Sequence, residues 1–428
     1  MTASPEQPSA NAVATSATPP PGCPAHQGAR SLSGSGFQTN PFGVYGEMRS
    51  EHGPVAPVLL DGNLPGWLVL GYRELHQVTS DAELFTRDAN QWNQWDNVPE
   101  NWALAPMISR DQTSVVYATG EDHRRRAEAI GEALEDVDPY ELRRQAEHIA
   151  DRLVDEFCHQ GEAELIADYA RLLPELVLAH IYGIPDAEGP ALVQAMNDAI
   201  DGKENAFEAY QYVYMVMRQL ASAKRAAPAP DVASRLVASY RGYSDELIVQ
   251  DLIVIMTAGH QPTADWIGNT LRLLLTDERF ALSLSGGRHS IGQAMNEVLW
   301  EDTPVANLAA RWATRDTSLA AKHIRKGDLL ILGFHGANTD PRVRPDTHAF
   351  TEGNSSFLSF GHGEHRCPHP AQEIAETIAK TAVEVLLDRL PDVRLAAPDN
   401  ALLWRPSPWV RGLAALPVAF TATSKGSR

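Results

Sequence analysis

The densest group of residues able to bind a metal or move a proton lies between Phe357 and Pro370, which reads Phe-Leu-Ser-Phe-Gly-His-Gly-Glu-His-Arg-Cys-Pro-His-Pro. It holds one of three cysteines in the chain and directly precedes a stretch, 371–389, whose Ala, Ile and Glu content suits a helix. A thiol just ahead of a helix N-terminus feels the partial positive charge of the helix dipole and nearby amide N–H groups. Both lower its pKa and make it a ready metal ligand. Gly361 and Gly363 permit a backbone that a β-carbon would oppose, so a flat group can lie against the loop. Phe357 and Phe360 would wall it with apolar surface.

Three chemistries fit these residues. His362, His365, Cys367 and His369 would suit a zinc knot, yet zinc sites usually draw their ligands as separated pairs and no second pair stands elsewhere in the sequence. A buried cysteine among solvated histidines is the plainest alternative. The third is a haem whose iron takes Cys367 as proximal ligand.

Phe360-Gly361-His362-Gly363-Glu364-His365-Arg366-Cys367 resembles the haem-binding signature of the cytochrome P450 family, Phe-Gly-x-Gly-x-His-x-Cys. The resemblance implies haem b, with Cys367 as the thiolate on iron, Phe360 and Gly361 against the cofactor, and His365 or Arg366 near a propionate. His369 and Pro370 depart from the pattern, which has glycine two residues after the cysteine and a small residue next.

The chain as a whole has to position this loop. At 428 residues and 43% hydrophobic content it can bury a large core. It has no window of eighteen apolar residues and no charged-then-apolar leader, so a cytoplasmic protein without a membrane anchor is expected. Cysteines at 23, 158 and 367 are odd in number and far apart, which excludes a disulfide framework. A formal charge of −19 argues against nucleic acid and anionic membrane as partners. Residues 1–39, rich in Pro, Ala, Ser and Gly, are expected to be a disordered tail, with 40–428 as a single domain. Trp67 to Tyr72 reads as a strand and Arg73 to Ser80 as the helix after it.

Between residues 88 and 118 periodicity is weak and Trp92, Trp95 and Trp102 stand out. Large aromatics in so long a loop mean packing under a lid or a roof over substrate. Packing is the ordinary role of any one tryptophan. The resemblance sets this loop over the distal side of the haem, so at least one is expected to touch substrate.

His123 opens a helix after Thr119-Gly120-Glu121-Asp122, a capping-box-like start. In the family this helix offers His and, four residues later, Arg to the propionates. The second position here is Ala127, and Arg126, one residue before it, is the expected substitute. Arg124 and Arg125 make a basic patch on an acidic protein, suited to a ferredoxin.

The longest helix is predicted to start at Ser244 and run to about Leu275, with Asp245 and Glu246 in its first turn. Pro262 lacks an N–H and should kink it, freeing the Ala258 carbonyl. Ala258-Gly259-His260-Gln261-Pro262 resembles the family's Ala-Gly-x-acid-Thr oxygen-activation motif, with Gln261 at the acid position and Pro262 at that of threonine. A glutamine does not relay protons as a carboxyl does. Thr263 and the Ala258 carbonyl with bound water are the candidate replacements.

The family's Glu-x-x-Arg becomes Glu297-Val298-Leu299-Trp300, and Phe350 to Ser356 holds no arginine. An unpaired buried carboxylate costs several kcal/mol, so Glu297 needs another cation, and Arg342 or Arg344 is expected to supply it. Arg311-Trp312-Ala313 resembles the family's Arg-x-Ala propionate site, with the spacing from Pro304 one residue longer, and Val305 to Leu308 would face substrate.

The expected fold is mainly α with small β-sheets, an α+β P450 fold in one large domain. The expected activity is a haem-thiolate monooxygenase acting on a small organic molecule of secondary metabolism, served by ferredoxin and ferredoxin reductase. Oxidative coupling or cyclisation is an alternative, as is a haem-binding partner protein with degraded catalysis.

Overall fold

A computed structural model describes residues 28–425 apart from 101, 103, 106, 111–112, 186–187, 201–204, 278–279, 281–288 and 346–353. In chain order the strands are β1 (Arg30–Ser31), β2 (Val55–Leu60), β3 (Leu64–Val69), β4 (Phe85–Thr86), β5 (Glu162–Glu164), β6 (Leu308–Ala313), β7 (Thr317–Leu319), β8 (Lys322–Ile324), β9 (Leu329–Leu332), β10 (Arg394–Leu395) and β11 (Pro417–Ala419). The helices are α1 (Ser35–Thr39), α2 (Pro41–His52), α3 (Tyr72–Ser80), α4 (Gly120–Glu135), α5 (Pro139–Phe157), α6 (Leu172–Ile181) and α7 (Gly189–Ile200). They continue with α8 (Ala206–Ala226), α9 (Val232–Ser239), α10 (Asp245–Thr276), α11 (His289–Glu301), α12 (Phe334–Asn338) and α13 (His369–Arg389). The expected mainly helical fold with small sheets is what forms.

Strands pair in a six-stranded sheet of order β1-β2-β3-β9-β6-β4, with β10-β11-β5 and β7-β8 apart from it. Alternation along β2 and β3 sends Ala56, Val58, Leu60, Leu64 and Leu68 to one face and Val55, Trp67 and Val69 to the other. Both faces are buried, so the sheet is an internal layer, and the helices pack around a third, larger core. Residues 30–39, assigned to the tail, are ordered. Arg30 and Ser31 pair with Val58 and Leu59, and Leu32 is buried, which anchors the segment. The rest of that tail, 1–27, lies outside the described residues.

Helix α10 starts at Ser244, whose hydroxyl accepts from the Leu247 amide at 3.4 Å. It is assigned as unbroken helix through Pro262. Ala258 is exposed and Pro262 half-exposed, so the carbonyl that loses its donor sits on the open side of the helix, where water can satisfy it.

One buried ion pair ties α4 to α10. Asp251, fully buried, accepts from Arg126 Nη2 at 2.7 Å, Arg126 Nε at 2.9 Å, the Val115 amide at 2.6 Å and the Tyr240 hydroxyl at 2.7 Å. Arg126 also reaches the Thr113 carbonyl at 2.8 Å. The expectation that Arg126 holds a propionate is therefore corrected: Asp251 takes its guanidinium because a buried carboxylate demands a charged partner.

Two predictions follow from this core. Arg126→Leu should lower the unfolding free energy by about 3–5 kcal/mol by stranding Asp251, read from the urea midpoint. His335 is buried beside the Tyr45 ring at 5.0 Å, and neither ring nitrogen has a hydrogen-bond partner among the described residues. Burial and Arg411 push its pKa down to about 3. Below about pH 6.5 the unfolded state takes a proton that the native state refuses until about pH 3. Stability should thus fall with decreasing pH through that window by about 1.4 kcal/mol per pH step for this one group. His335→Phe should reduce the slope of unfolding free energy against pH by one proton.

Candidate active site

The Cys367 loop is held by its own backbone. The Cys367 amide donates to the Phe360 carbonyl at 2.8 Å and the Gly361 amide to the Leu358 carbonyl at 2.8 Å, and Gln372 Nε2 caps the Cys367 carbonyl at 2.7 Å. Gly361 and Gly363 have φ of 74° and 76°, and a β-carbon on Gly363 would run into the Thr79 carbonyl. Glycine is thus required at 363 by both conformation and contact. The loop docks on α3 through Thr79 Oγ1 and His362 Nδ1, 3.0 Å apart, and through the stacked rings of His76 and His362 at 3.8 Å. His369 points to solvent beside Glu373.

Cys367 lies two residues ahead of α13, yet burial pushes its thiol up to about 12. The expected lowering by the helix end is overridden, because desolvation of a thiolate outweighs the field of one helix terminus. A metal cation reverses the balance and takes the sulfur as thiolate. Cys367 remains partly accessible.

Around the loop sits a group of guanidinium and imidazole side chains, buried or nearly so, with few anions beside them. His123 and His365 stack at 3.8 Å, and His123 Nδ1 is 3.3 Å from Glu364 Oε1 without a hydrogen bond. Arg311 is 1% exposed, and its Nε and one Nη have no partner among the described residues. Arg87, 3% exposed, donates to the Ala309 carbonyl at 3.0 Å, and its Nε has no hydrogen-bond partner among the described residues. Burial, with the mutual repulsion of Arg87 and Arg311, pushes Arg311 well below its ordinary value. Burial first and Arg87 next depress His365. Glu364 is the one carboxylate these shifts record against the four groups. Two propionates are the anions such a set lacks, so the residues fit haem: Cys367 would hold its iron, and Arg87, His123, Arg311 and His365 would meet its carboxylates.

Arg87 was not legible. It follows Thr86, and only the pairing of β4 with β6, Phe85 to Ala313 and Thr86 to Trp312, brings it beside Arg311. The longer spacing from Pro304 to Arg311 is absorbed by a bulge: between the pairs Leu308–Leu332 and Arg311–Leu330, β6 advances three residues while β9 advances two. Arg311 thereby keeps its place.

Past its exposed first turn helix α10 is mostly buried, yet Ala258 is exposed and Gly259 and Pro262 are half-exposed. Their spacing places them on one face of the helix. Gln261 and Thr263 are buried, at 5% and 2% exposure, on the flanks of that face. Val305 and Leu308 are half-exposed. Trp92 lies 4.9 Å from Trp95 and 5.6 Å from Trp102, in a cluster packed on the sheet, with Trp92 and Trp102 buried.

Glu297 pairs with Arg344 Nη2 at 2.6 Å, and the same nitrogen reaches Glu301 at 2.9 Å. Arg342 instead serves Glu74 and Asp340. Trp300, 1% exposed, donates to the Asn354 carbonyl at 3.1 Å. Its ring starts an aromatic ladder: Trp300 to Phe357 at 5.9 Å, Phe357 to Phe360 at 6.2 Å, and Phe360 to Trp266 of α10 at 5.9 Å. The ladder ties α11 and α10 to the cysteine loop. Of the segment searched for a second arginine, 350–353 lies outside the described residues.

No protein-family model matches the chain. Mycinamicin IV hydroxylase/epoxidase of Micromonospora griseorubida is 29% identical, over 88% of this chain and 95% of that protein. The polyketide biosynthesis cytochrome P450 PksS of Bacillus subtilis is 28% identical, over 91% and 98%. Among solved structures, CYP154C4 of Streptomyces sp. ATCC 11861 superposes with a TM-score of 0.82 at 25% identity, covering 92% of this chain and 99% of that one. The chain belongs to the cytochrome P450 family. Its cofactor is haem b.

In this P450 Arg344 pairs with Glu297 and the Trp300 ring packs in the ladder, so an arginine at 300 should harm it. Trp300→Arg would set a second guanidinium beside Arg344 in a closed slot. Its expected cost is about 3–5 kcal/mol, with reduced haem retention. Trp300→Phe keeps a ring and loses one hydrogen bond, for about 1 kcal/mol. Thermal unfolding and haem-to-protein absorbance ratios of the two variants check this; a stabilised Trp300→Arg would refute the ladder.

Proposed function

We propose that this P450 is a monooxygenase of bacterial secondary metabolism that inserts oxygen into a small organic molecule, with electrons from a ferredoxin and its reductase. The observation that carries the reading is the conjunction of a half-buried cysteine loop, two buried guanidiniums with two imidazoles beside it, and an exposed helix face, Ala258 to Pro262, within the same fold. Haem held by Cys367 supplies oxygen activation, the thiolate favouring cleavage of the O–O bond. The chain's own residues anchor the propionates, exclude bulk water with the ladder, and present Ala258, Pro262, Val305 and Leu308 to a substrate. Trp92, Trp95 and Trp102 would stiffen the roof over it. By their names, one relative hydroxylates or epoxidises mycinamicin IV and PksS serves polyketide biosynthesis, which supports substrates of that kind.

Arg124, exposed beside Glu121, and Arg366, exposed one residue before Cys367, offer positive charge near the cysteine on a chain of net charge −19. That pattern suits an acidic ferredoxin. Among the described residues no helix is long and apolar enough to cross a membrane. Coupling or cyclisation of substrate radicals is a second reading, favoured by Gln261 and Pro262 where the family has an acid and an alcohol.

The purified protein, reduced under carbon monoxide, should show the red-shifted Soret band of a thiolate-ligated haem, and Cys367→Ala should lose it. With a surrogate ferredoxin system, product mass separates the two readings. A gain of one oxygen supports insertion and a loss of hydrogens alone supports coupling. A haem protein that turns over neither way with a broad substrate set would overturn both.

A further inference from the structure

Gln261 stands where the family carries its acid, and its side chain meets a carboxylate one helical turn on. Gln261 Nε2 donates to Asp265 Oδ1 at 2.9 Å, and Asp265 is 4% exposed. Asp265 follows Ala258 by seven residues, almost two turns, so both lie on one face of α10 with Gln261 between them. Gln261 Oε1 has no hydrogen-bond partner among the described residues. Beyond Asp265, Arg405 Nη1 stands 3.9 Å from Oδ1, and the chain closes over the carboxylate so tightly that a β-carbon on Gly412 would collide with it. Arg405 also lines a recess of about 20 Å³ with Tyr45, Asn307, Ser407 and Arg411, room for one water. The carboxylate thus stands between Arg405, which lines that recess, and the helix face exposed at Ala258.

We propose that Asp265 replaces the missing acid as the proton-delivering group, with Gln261 as its positioning residue. The inference rests on the monooxygenase reading, in which dioxygen, two electrons from the redox partner and two protons from solvent yield one inserted oxygen atom and one water. Asp265 takes a proton from water in the recess beside Arg405. It releases that proton to a water held on the Ala258 side by the Gln261 carbonyl, and is reloaded from solvent. Only O–H bonds change at the side chain. The glutamine amide holds the carboxylate through its N–H and orients the accepting water through its oxygen.

The test uses the haem-loaded enzyme with a surrogate ferredoxin system and measures how reduced oxygen divides between hydrogen peroxide and water, which needs no identified substrate. Asp265→Asn should raise the ratio of peroxide to water at least tenfold and enlarge the solvent deuterium isotope effect. Asp265→Glu should restore most of both, and Gln261→Leu should fall between. A second readout is independent of turnover: the infrared difference between the ferric and ferrous carbonyl forms should contain a deuterium-sensitive carboxyl band that Asp265→Asn removes. If Asp265→Asn does not fold, the Glu and Leu variants decide. Unchanged partition and isotope effect in the folded variants, or a carboxyl band that persists in Asp265→Asn, would overturn the proposal. A wild-type protein that reduces no oxygen would refute the monooxygenase reading instead, and the infrared band would still judge Asp265.

Discussion

Buried positive charge without matching negative charge is the constraint on which the site depends. Arg87 and Arg311 converge with the depressed imidazoles of His123 and His365 beside Cys367, and among the described residues Glu364 is the one carboxylate that acts on them. Desolvating a guanidinium is expensive unless an anion meets it, and desolvating a thiolate is expensive unless a cation does. A dianionic cofactor carrying a metal relieves both. Haem binding therefore contributes to the stability of the fold itself, since a ligand that binds only the native chain shifts the folding equilibrium toward it.

The scaffold around that centre differs in its parts from the usual P450 and keeps its function by substitution in space. Arg344 neutralises Glu297 from a later segment, and the same nitrogen answers Glu301. Trp300 fills the space of an absent arginine with an indole and passes the contact through Phe357 and Phe360 to Trp266. A charge network has become an apolar ladder, which removes buried charges that would each need a partner. The bulge in β6 is of the same kind: an extra residue is taken up where a strand can bend, and Arg311 stays in register.

The distal side shows the reverse. Pro262 costs a hydrogen bond at the opened face of α10, and the acid that should precede it is a glutamine. Helical periodicity puts Asp265 within reach of that glutamine, so polarity is moved along the helix and not lost.

Much was legible in the chain alone. Phe360 to Cys367 carries the family's haem-binding pattern in adjacent residues, and glycine conformations and helix start are local properties, while α10 declares itself through Ser244, its length and its apolar run. Arg344 as the partner of Glu297 could be anticipated because a buried carboxylate has few cations from which to draw. Other assignments turned on distance through space. Arg126 resembled a propionate ligand until Asp251, 125 residues away in sequence, claimed it. Arg87 had no signal until strand pairing set it beside Arg311, and the Cys367 thiol is governed by how much protein surrounds it. Sequence determines which groups exist and which conformations they allow; only tertiary packing decides which charges become neighbours and which lose their water, because both depend on segments that the chain order keeps apart.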